Sequence, residues 1–194
     1  MPIKIKDVAE IGSGLVVARK KAVHDDEVIK EYKQLNLRSI NKNGYIEVGE
    51  LEILKTKEKV DDYYITHEGD IVVRLTDPFT AVYITKEMEG IVISSNFCIV
   101  RCSDKYSSGY LSYYINSDTA KKLLLSNLQG SIMKNINISA VAELQIPEIS
   151  LEKQITIGKL LRAQTKKIVV LNKIRDLVEK QQKVILERIE NLEV

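Results

Sequence analysis

Two cysteines, two histidines and a few carboxylates are the residues of this chain that could do chemistry. Cys98 and Cys102 stand in Phe97-Cys-Ile-Val-Arg-Cys102, and the only histidines, His24 and His67, are far in sequence from them and from each other. A structural zinc site takes four such ligands at short spacing, which this arrangement does not offer. On a strand, residues 98 and 102 face the same side but lie too far apart along it for an easy disulfide. The reading is of two buried, reduced thiols and no metal. Glu31-Tyr-Lys33 has the carboxylate-x-lysine spacing of some metal-dependent nucleases. Its neighbours Asp25 and Asp26 are too close to come from a separate strand, and such triplets arise by chance in charged segments. Neither histidine has a nucleophile motif beside it.

Asp77-Pro78-Phe79 is the remaining fragment of interest. An acidic or amide residue, two prolines and an aromatic grip the flipped base in amino-methylating DNA methyltransferases. Here the second proline is absent. A glycine-rich loop following a strand, which would supply a methyl-donor pocket, is absent too, since Gly12-Ser-Gly14 is isolated. A proline-containing loop accounts for these residues more simply. No enzyme signature survives this comparison.

The elements that position these residues are legible in outline. The chain has 194 residues, 44% of them hydrophobic, enough for one domain of ordinary size plus an extension. Alternation over Ile3–Ile11, ending in a short helical turn, is followed by a break at Gly12-Ser-Gly14. Leu15–Lys21 reads as a strand, Val23–Glu31 as a charged loop and Tyr32–Ile40 as a strand. Asn41-Lys-Asn-Gly44 is a tight-turn signal, and Tyr45–Val48 resumes as a strand. Ile71–Leu75, Thr80–Ile84, Gly90–Ile93 and Asn96–Arg101 are β-rich, and Ser108–Leu128 turns helical. The opening Met-Pro-Ile-Lys-Ile-Lys lacks a signal-peptide core, and no stretch reaches the roughly 20 apolar residues of a membrane span. A cytoplasmic location is the expectation.

The last part is the clearest periodic element. From Leu151 the sequence predicts one long helix, about 60 Å at ~1.5 Å per residue. Leu161, Ile168, Leu171, Val178, Ile185, Ile189 and Leu192 recur in two seven-residue series, interrupted by Gln164, Arg175 and Gln182. Such a seam with polar interruptions predicts a coiled coil rather than a helix folded back on its own domain. This tail has ten Lys/Arg against six Asp/Glu, whereas the rest has nineteen against twenty-one. Basic helices touch phosphate or simply form the solvated face of a coiled coil.

In order and spacing, four stretches resemble the DNA-specificity (S) subunit of type I restriction–modification systems. They are Lys6-Asp-Val-Ala-Glu-Ile-Gly-Ser-Gly14, Glu68-Gly-Asp-Ile-Val-Val-Arg74 and Tyr110-Leu-Ser-Tyr-Tyr-Ile-Asn-Ser117, then Gly130-Ser-Ile-Met-Lys-Asn-Ile-Asn-Ile138 with Ile146-Pro147, Glu152-Lys-Gln-Ile155 and Leu160-Leu161. The chain departs from the family at Lys153, inserted between the acid and the amide of the usual Glu-Gln pair. It also lacks the glycines often seen after the central strand. Two recognition domains and two long helices are the family norm, and this chain has one of each, so it resembles a half-subunit.

The resemblance implies an α+β fold: a mixed, strand-rich target-recognition domain over residues 1–150, followed at 151–194 by a long helical spacer that pairs as an antiparallel coiled coil. It implies a non-catalytic, cofactor-free subunit that reads double-stranded DNA and directs a methyltransferase (modification) subunit; a motor–nuclease (restriction) subunit can join. A half-subunit further suggests a homodimer reading an interrupted palindrome. Candidate DNA contacts are Arg19, Lys20 and Lys21; Arg38, Asn41, Lys42 and Asn43; Arg74 and Thr76; and Ser131, Lys134 and Asn135. Competing readings are pairing with a different half-subunit, a coiled-coil regulator or decoy that docks on the methyltransferase without reading DNA, and an enzyme built around Asp77-Pro78-Phe79.

Overall fold

The computed structural model describes residues 3–126 and 135–191. Ser131, Lys134 and Leu192 lie outside the described residues. The fold is α+β. Its elements, in chain order, are β1 (Ile3–Lys4), β2 (Ala9–Ser13), β3 (Lys30–Gln34), β4 (Ile40–Asn41), β5 (Tyr45–Ile46), β6 (Glu52–Thr56), β7 (Ile71–Arg74), β8 (Ala81–Tyr83), β9 (Ile91–Val92), β10 (Phe97–Cys102), α1 (Ser108–Asn116), α2 (Asp118–Ser126), α3 (Ile138–Ala142), β11 (Gln145–Ile146) and α4 (Leu151–Glu190).

The larger sheet has the order β2-β10-β7-β8 and is antiparallel throughout. Its central strands, Ile71-Val-Val and Phe97-Cys-Ile-Val, are unbroken apolar runs because both faces are covered. Ile71, Val73, Cys98 and Val100 point into a core shared with Leu111, Ile115, Leu124 and Val141 of the helices. Val72 and its cross-strand partner Ile99 point the other way, with Phe97, into a core with Leu35, Ile40, Ile46 and Ile93. A smaller sheet, β6-β3-β9, closes the molecule over a third cluster of Leu15, Tyr32, Leu54, Val60 and Val92.

Several sequence expectations change. Leu15–Lys21 is not a strand: the chain leaves the larger sheet there, bridging Ser94 just past β9 at Leu15 and Thr56 of β6 at Lys21, with a 3-10 turn at Val17–Arg19 between. Gly12 does not break the opening strand, and β2 runs through it. A β-carbon there would fall 1.5 Å from the Tyr63 hydroxyl, so the glycine leaves room for the Tyr63 ring to lie over the strand. The expected strand Tyr32–Ile40 is split by Asn36, whose Oδ1 accepts from the amides of Arg38 and Ser39 at 2.8 and 2.9 Å, an Asx turn that competes with the ladder. Residues 52–56, unassigned by pattern, form β6. The helical stretch from Ser108 divides at Ser117, whose Oγ caps the second helix at Ala120 N, 3.2 Å away.

Cys98 and Cys102 are unpaired thiols, and burial pushes both up to about 12. Phe79 is buried with Ile71 and Leu111 in the core, so its ring has no open face for a base.

The long helix is 40 residues. Its first half lies on the body and its second half does not. Gln154 is buried; its Oε1 accepts from Ser107 N and its Nε2 donates to Ile149 O, both at 3.0 Å. Gly158 packs against the backbone of Gly109 and Tyr110. Further along come the Arg162 guanidinium over the Tyr83 ring at 4.8 Å, Thr165 bonded to Tyr113 at 2.6 Å, and Asn172 donating to Tyr45 Oη at 2.9 Å. These residues recur at steps of four, four, three and seven, one face of a helix. From Lys173 to Asn191 every residue is exposed.

Candidate nucleic-acid interface

The candidate contact residues form two groups. The first surrounds the β4–β5 hairpin. Its turn is closed by Gly44 N to Asn41 O at 3.0 Å, with Gly44 at φ +77°. Asn41 is used locally: Oδ1 accepts from Asn43 N at 2.9 Å and Nδ2 donates to Glu47 at 2.9 Å. Lys42 and Asn43 are left exposed at the tip. Burial raises the Tyr45 hydroxyl, and its bond to Asn172 ties this hairpin to α4.

Arg74 joins the hairpin region to the loop that follows β7. Its Nη1 donates to Leu37 O, Nε to Thr76 Oγ1 and Nη2 to Asp77 O, each at 3.0 Å. Thr76 in turn bridges Asn135. Four candidates far apart in sequence, Arg38, Arg74, Thr76 and Asn135, are thus brought to one surface. Arg74 acts there as a frame. Its guanidinium is committed to the protein, whereas Arg38 is exposed, with only a loose ion pair to Glu52 at 3.6 Å. A groove of about 780 Å³ between hairpin and helix, with Arg38, Lys42, Glu47, Asp176 and Lys180 in its walls, runs alongside.

The second group is Arg19, Lys20 and Lys21, after the Val17–Arg19 turn. Lys20 is ion-paired with Glu58 at 2.9 Å, while Arg19 and Lys21 are exposed. The backbone bonds Lys57 N to Lys20 O and Ala22 N to Lys55 O, both 3.0 Å, lay this triplet along β6. Lys55, Lys57 and Lys59 therefore join it, residues that sequence reading missed because β6 itself went unread. Lys55 is held by Asp25 at 2.8 Å, and that pair raises the lysine and lowers the carboxyl. Lys57 and Lys59 are exposed.

A separate frame holds the turn before β7. Asp70, following Gly69 (φ +89°), accepts from Arg101 Nε at 3.1 Å and Nη2 at 3.3 Å, and from His67 N at 2.9 Å. Arg101 Nη2 also reaches the carbonyls of Tyr63 and Ile65 at 3.2 Å. The Glu68-Gly-Asp70 turn is thereby bolted to β10. Among the described residues no cluster of His, Cys, Asp and Glu is arranged to hold a metal ion, and no helix is long and apolar enough to cross a membrane.

Residues 1–180 match the type I restriction modification DNA specificity domain. The chain belongs to that family. The solved structures agree on the fold. The HsdS subunit from Thermoanaerobacter tengcongensis superposes at TM-score 0.64 with 14% identity, covering 95% of this chain and 46% of that one. A chain from a structure describing complex assembly and conformational transition of the type I R-M system gives TM-score 0.65 at 13% identity, with coverages of 95% and 47%. The type I restriction-modification S subunit from M. genitalium gives 0.55 at 15%, with 89% and 41%. This chain therefore spans less than half the length of each. A comparison with curated proteins gives no match. The expected family resemblance and the α+β class are both borne out.

Proposed function

We propose that this specificity-family chain is the DNA-reading component of a type I restriction–modification system. Two copies bind one interrupted palindrome and direct an adenine methyltransferase subunit to it. Residues 1–150 read the bases, and 151–194 set the distance between half-sites. The chain contributes no catalytic group of its own; the modification subunit does the chemistry, with a motor–nuclease subunit as a further partner.

The observation that carries this reading is the division of α4. Its first half is pinned to the body through Gln154, Gly158, Arg162, Thr165 and Asn172, so the reading surface and the helix move as one piece. Its second half is bare and carries Leu171, Ile174, Leu177, Val178 and Ile185, each more than half exposed. Fully burying such a side chain stabilises by roughly 1.5–3 kcal/mol, so a stripe of this length calls for a partner. Leu161 and Ile168 are half-covered beside the docked face, while Leu171, Val178, Ile185 and Ile189 belong to the bare half. Charge favours an antiparallel partner. Lys159 to Arg175 holds six basic and no acidic residues, whereas Asp176 to Glu193 holds five acidic and three basic. Antiparallel helices set one segment against the other; parallel ones set like against like.

Titration of a duplex carrying the recognised site, at a series of salt concentrations, tests the reading. A DNA reader loses affinity steeply as salt rises, in proportion to the phosphates it neutralises. A decoy that only docks on the methyltransferase shows no DNA affinity at any salt concentration.

A further inference from the structure

Asp77-Pro78-Phe79 has no role in the function proposed so far, yet its turn is held at many points. Leu75 N donates to Asn96 O at 3.0 Å, and Leu75 O accepts from Ile136 N at 2.9 Å. Arg74 spans the turn from within, donating to Thr76 Oγ1 and Asp77 O, and Thr80 Oγ1 donates to Pro78 O, all at 3.0 Å. Phe79 is packed in the core, and the Asn116 side chain grips Ala81 N and O at 2.8 and 2.7 Å. Of residues 75–80 only Asp77 and Pro78 are exposed. The backbone oxygen of Asp77, not its carboxylate, takes the Arg74 bond, and among the described residues no hydrogen-bond donor meets that carboxylate. The other acids of this surface are occupied or turned aside. Glu47 accepts from Asn41 at 2.9 Å, Glu52 accepts from Asn36 at 3.0 Å, and Glu50 lines the groove toward α4.

We propose that Asp77 is a specificity-determining residue: its carboxylate accepts a hydrogen bond from the exocyclic amino group of a cytosine or adenine in the major groove. The proposal rests on the DNA-reading function above. Arg38 and Lys42 are exposed on the same surface, and the Arg74 guanidinium lies directly behind the turn. Cations of this kind suit phosphate. A carboxylate among them repels phosphate, so it serves a DNA-facing surface only where it meets donors. In the major groove the donors are N4 of cytosine and N6 of adenine. Thymine and guanine present the keto oxygens O4 and O6 there instead, and a carboxylate repels them. Asp77 therefore selects by rejecting the wrong base as well as by binding the right one.

The fastened turn suits this role, because a group already held in place gives up little freedom on binding. It also separates this fragment from the base-gripping one of amino-methyltransferases. Phe79 is buried and has no face for a base, and the acid is the part left to meet the duplex.

The full chain carrying Asp77→Asn, co-expressed with the modification subunit, tests this by the sequence of the sites methylated on plasmid DNA. The substitution keeps the shape and replaces one acceptor by an amide donor, which can pair with a keto oxygen. One position in each half-site is expected to widen, from cytosine to cytosine or thymine, or from adenine to adenine or guanine. The first outcome identifies N4 as the group read and the second N6. The parent's preference at that position, roughly tenfold or more, falls to near parity, and every other position keeps its base. Asp77→Ala widens the same position to any base. Both variants keep the parent's thermal midpoint, since the side chain is exposed. An unchanged site in both variants overturns the proposal. So does methylation that falls evenly at the parent's site with no change of sequence, the mark of a merely structural role. In either case the DNA-reading function stands. A parent chain that forms the complex and methylates nothing removes that function, and this proposal with it.

Discussion

Gly158 of the long helix meets Tyr110 so closely that a β-carbon at position 158 would lie 2.9 Å from the Tyr110 amide nitrogen and 3.0 Å from the Gly109 carbonyl carbon. Both obstacles are backbone. Gly158→Ala gains about 1 kcal/mol of helix propensity. It loses roughly 1–3 kcal/mol to overpacking, because a helix backbone cannot step aside as a side chain can. Net destabilisation of about 1 kcal/mol is expected from denaturant unfolding. Gly109→Ala meets instead the guanidinium end of Arg162 at 2.1 Å, a group that can swing away, and the expected effect on stability is smaller. Equal effects from the two substitutions would contradict this account of the docking.

Asp70 and Arg101 form the buried frame of the central turn. Removing Asp70 leaves Arg101 with only the Tyr63 and Ile65 carbonyls and costs roughly 1–3 kcal/mol. Asp70→Ala is expected to lower the thermal midpoint markedly. Substituting Arg175, whose pairs with Asp176 and Glu179 are all solvent-exposed, leaves it almost unmoved.

The hydrogen bond from Asn172 to Tyr45 couples the hairpin to the spacer. Tyr45→Phe leaves Asn172 without that partner at a cost of about 1 kcal/mol. In the proposed function it also loosens the angle between the reading surface and the helix. Methylation mapped on sites with altered gaps should spread to neighbouring gap lengths in the variant and stay at one length in the parent chain.

The legibility of this chain was uneven, for physical reasons. Strands buried on both faces, such as Ile71–Arg74 and Phe97–Cys102, announced themselves as apolar runs. So did the hairpin at Asn41–Gly44, because few residues tolerate its backbone. Glu52–Thr56 did not, since only Leu54 and Thr56 are buried and the rest of the strand faces water. The periodic tail was read as a helix correctly. Its docked face stayed hidden because it is built from Gln154, Gly158, Arg162, Thr165 and Asn172, small and polar residues that carry no hydrophobic period. Of the candidate contact residues, Arg74 proved to be a frame. Its role depends on carbonyls at Leu37 and Asp77, which no sequence pattern exposes.

Acid should release the N-terminal strand. Lys4 and then Lys6 hold the Glu143 carboxyl well below its ordinary 4.5, at about 2. A depressed carboxyl contributes stability above its ordinary value and loses it as pH falls toward the depressed one. Between about pH 4.5 and about 2, exchange of the Ile5 amide, which is bonded to Leu144 O at 3.1 Å, should therefore accelerate beyond its intrinsic rate. Glu143→Gln should remove that pH dependence.

Charge placed in the bare stripe should separate the copies without unfolding the body. Val178→Glu and Ile185→Glu lie on residues 56% and 51% exposed, so neither disturbs a packed core. Each is expected to shift sedimentation from dimer to monomer while the thermal midpoint measured at low concentration stays within a few degrees.

The most direct test of the central claim is to co-express the chain with the methyltransferase subunit of its own system and map adenine methylation across plasmid DNA. Methylation confined to one interrupted palindrome, two inverted half-sites with a fixed gap, is the expected result. Methylation at an asymmetric site would contradict the pairing of identical copies. A complex that forms and methylates nothing would contradict the claim that this chain reads DNA.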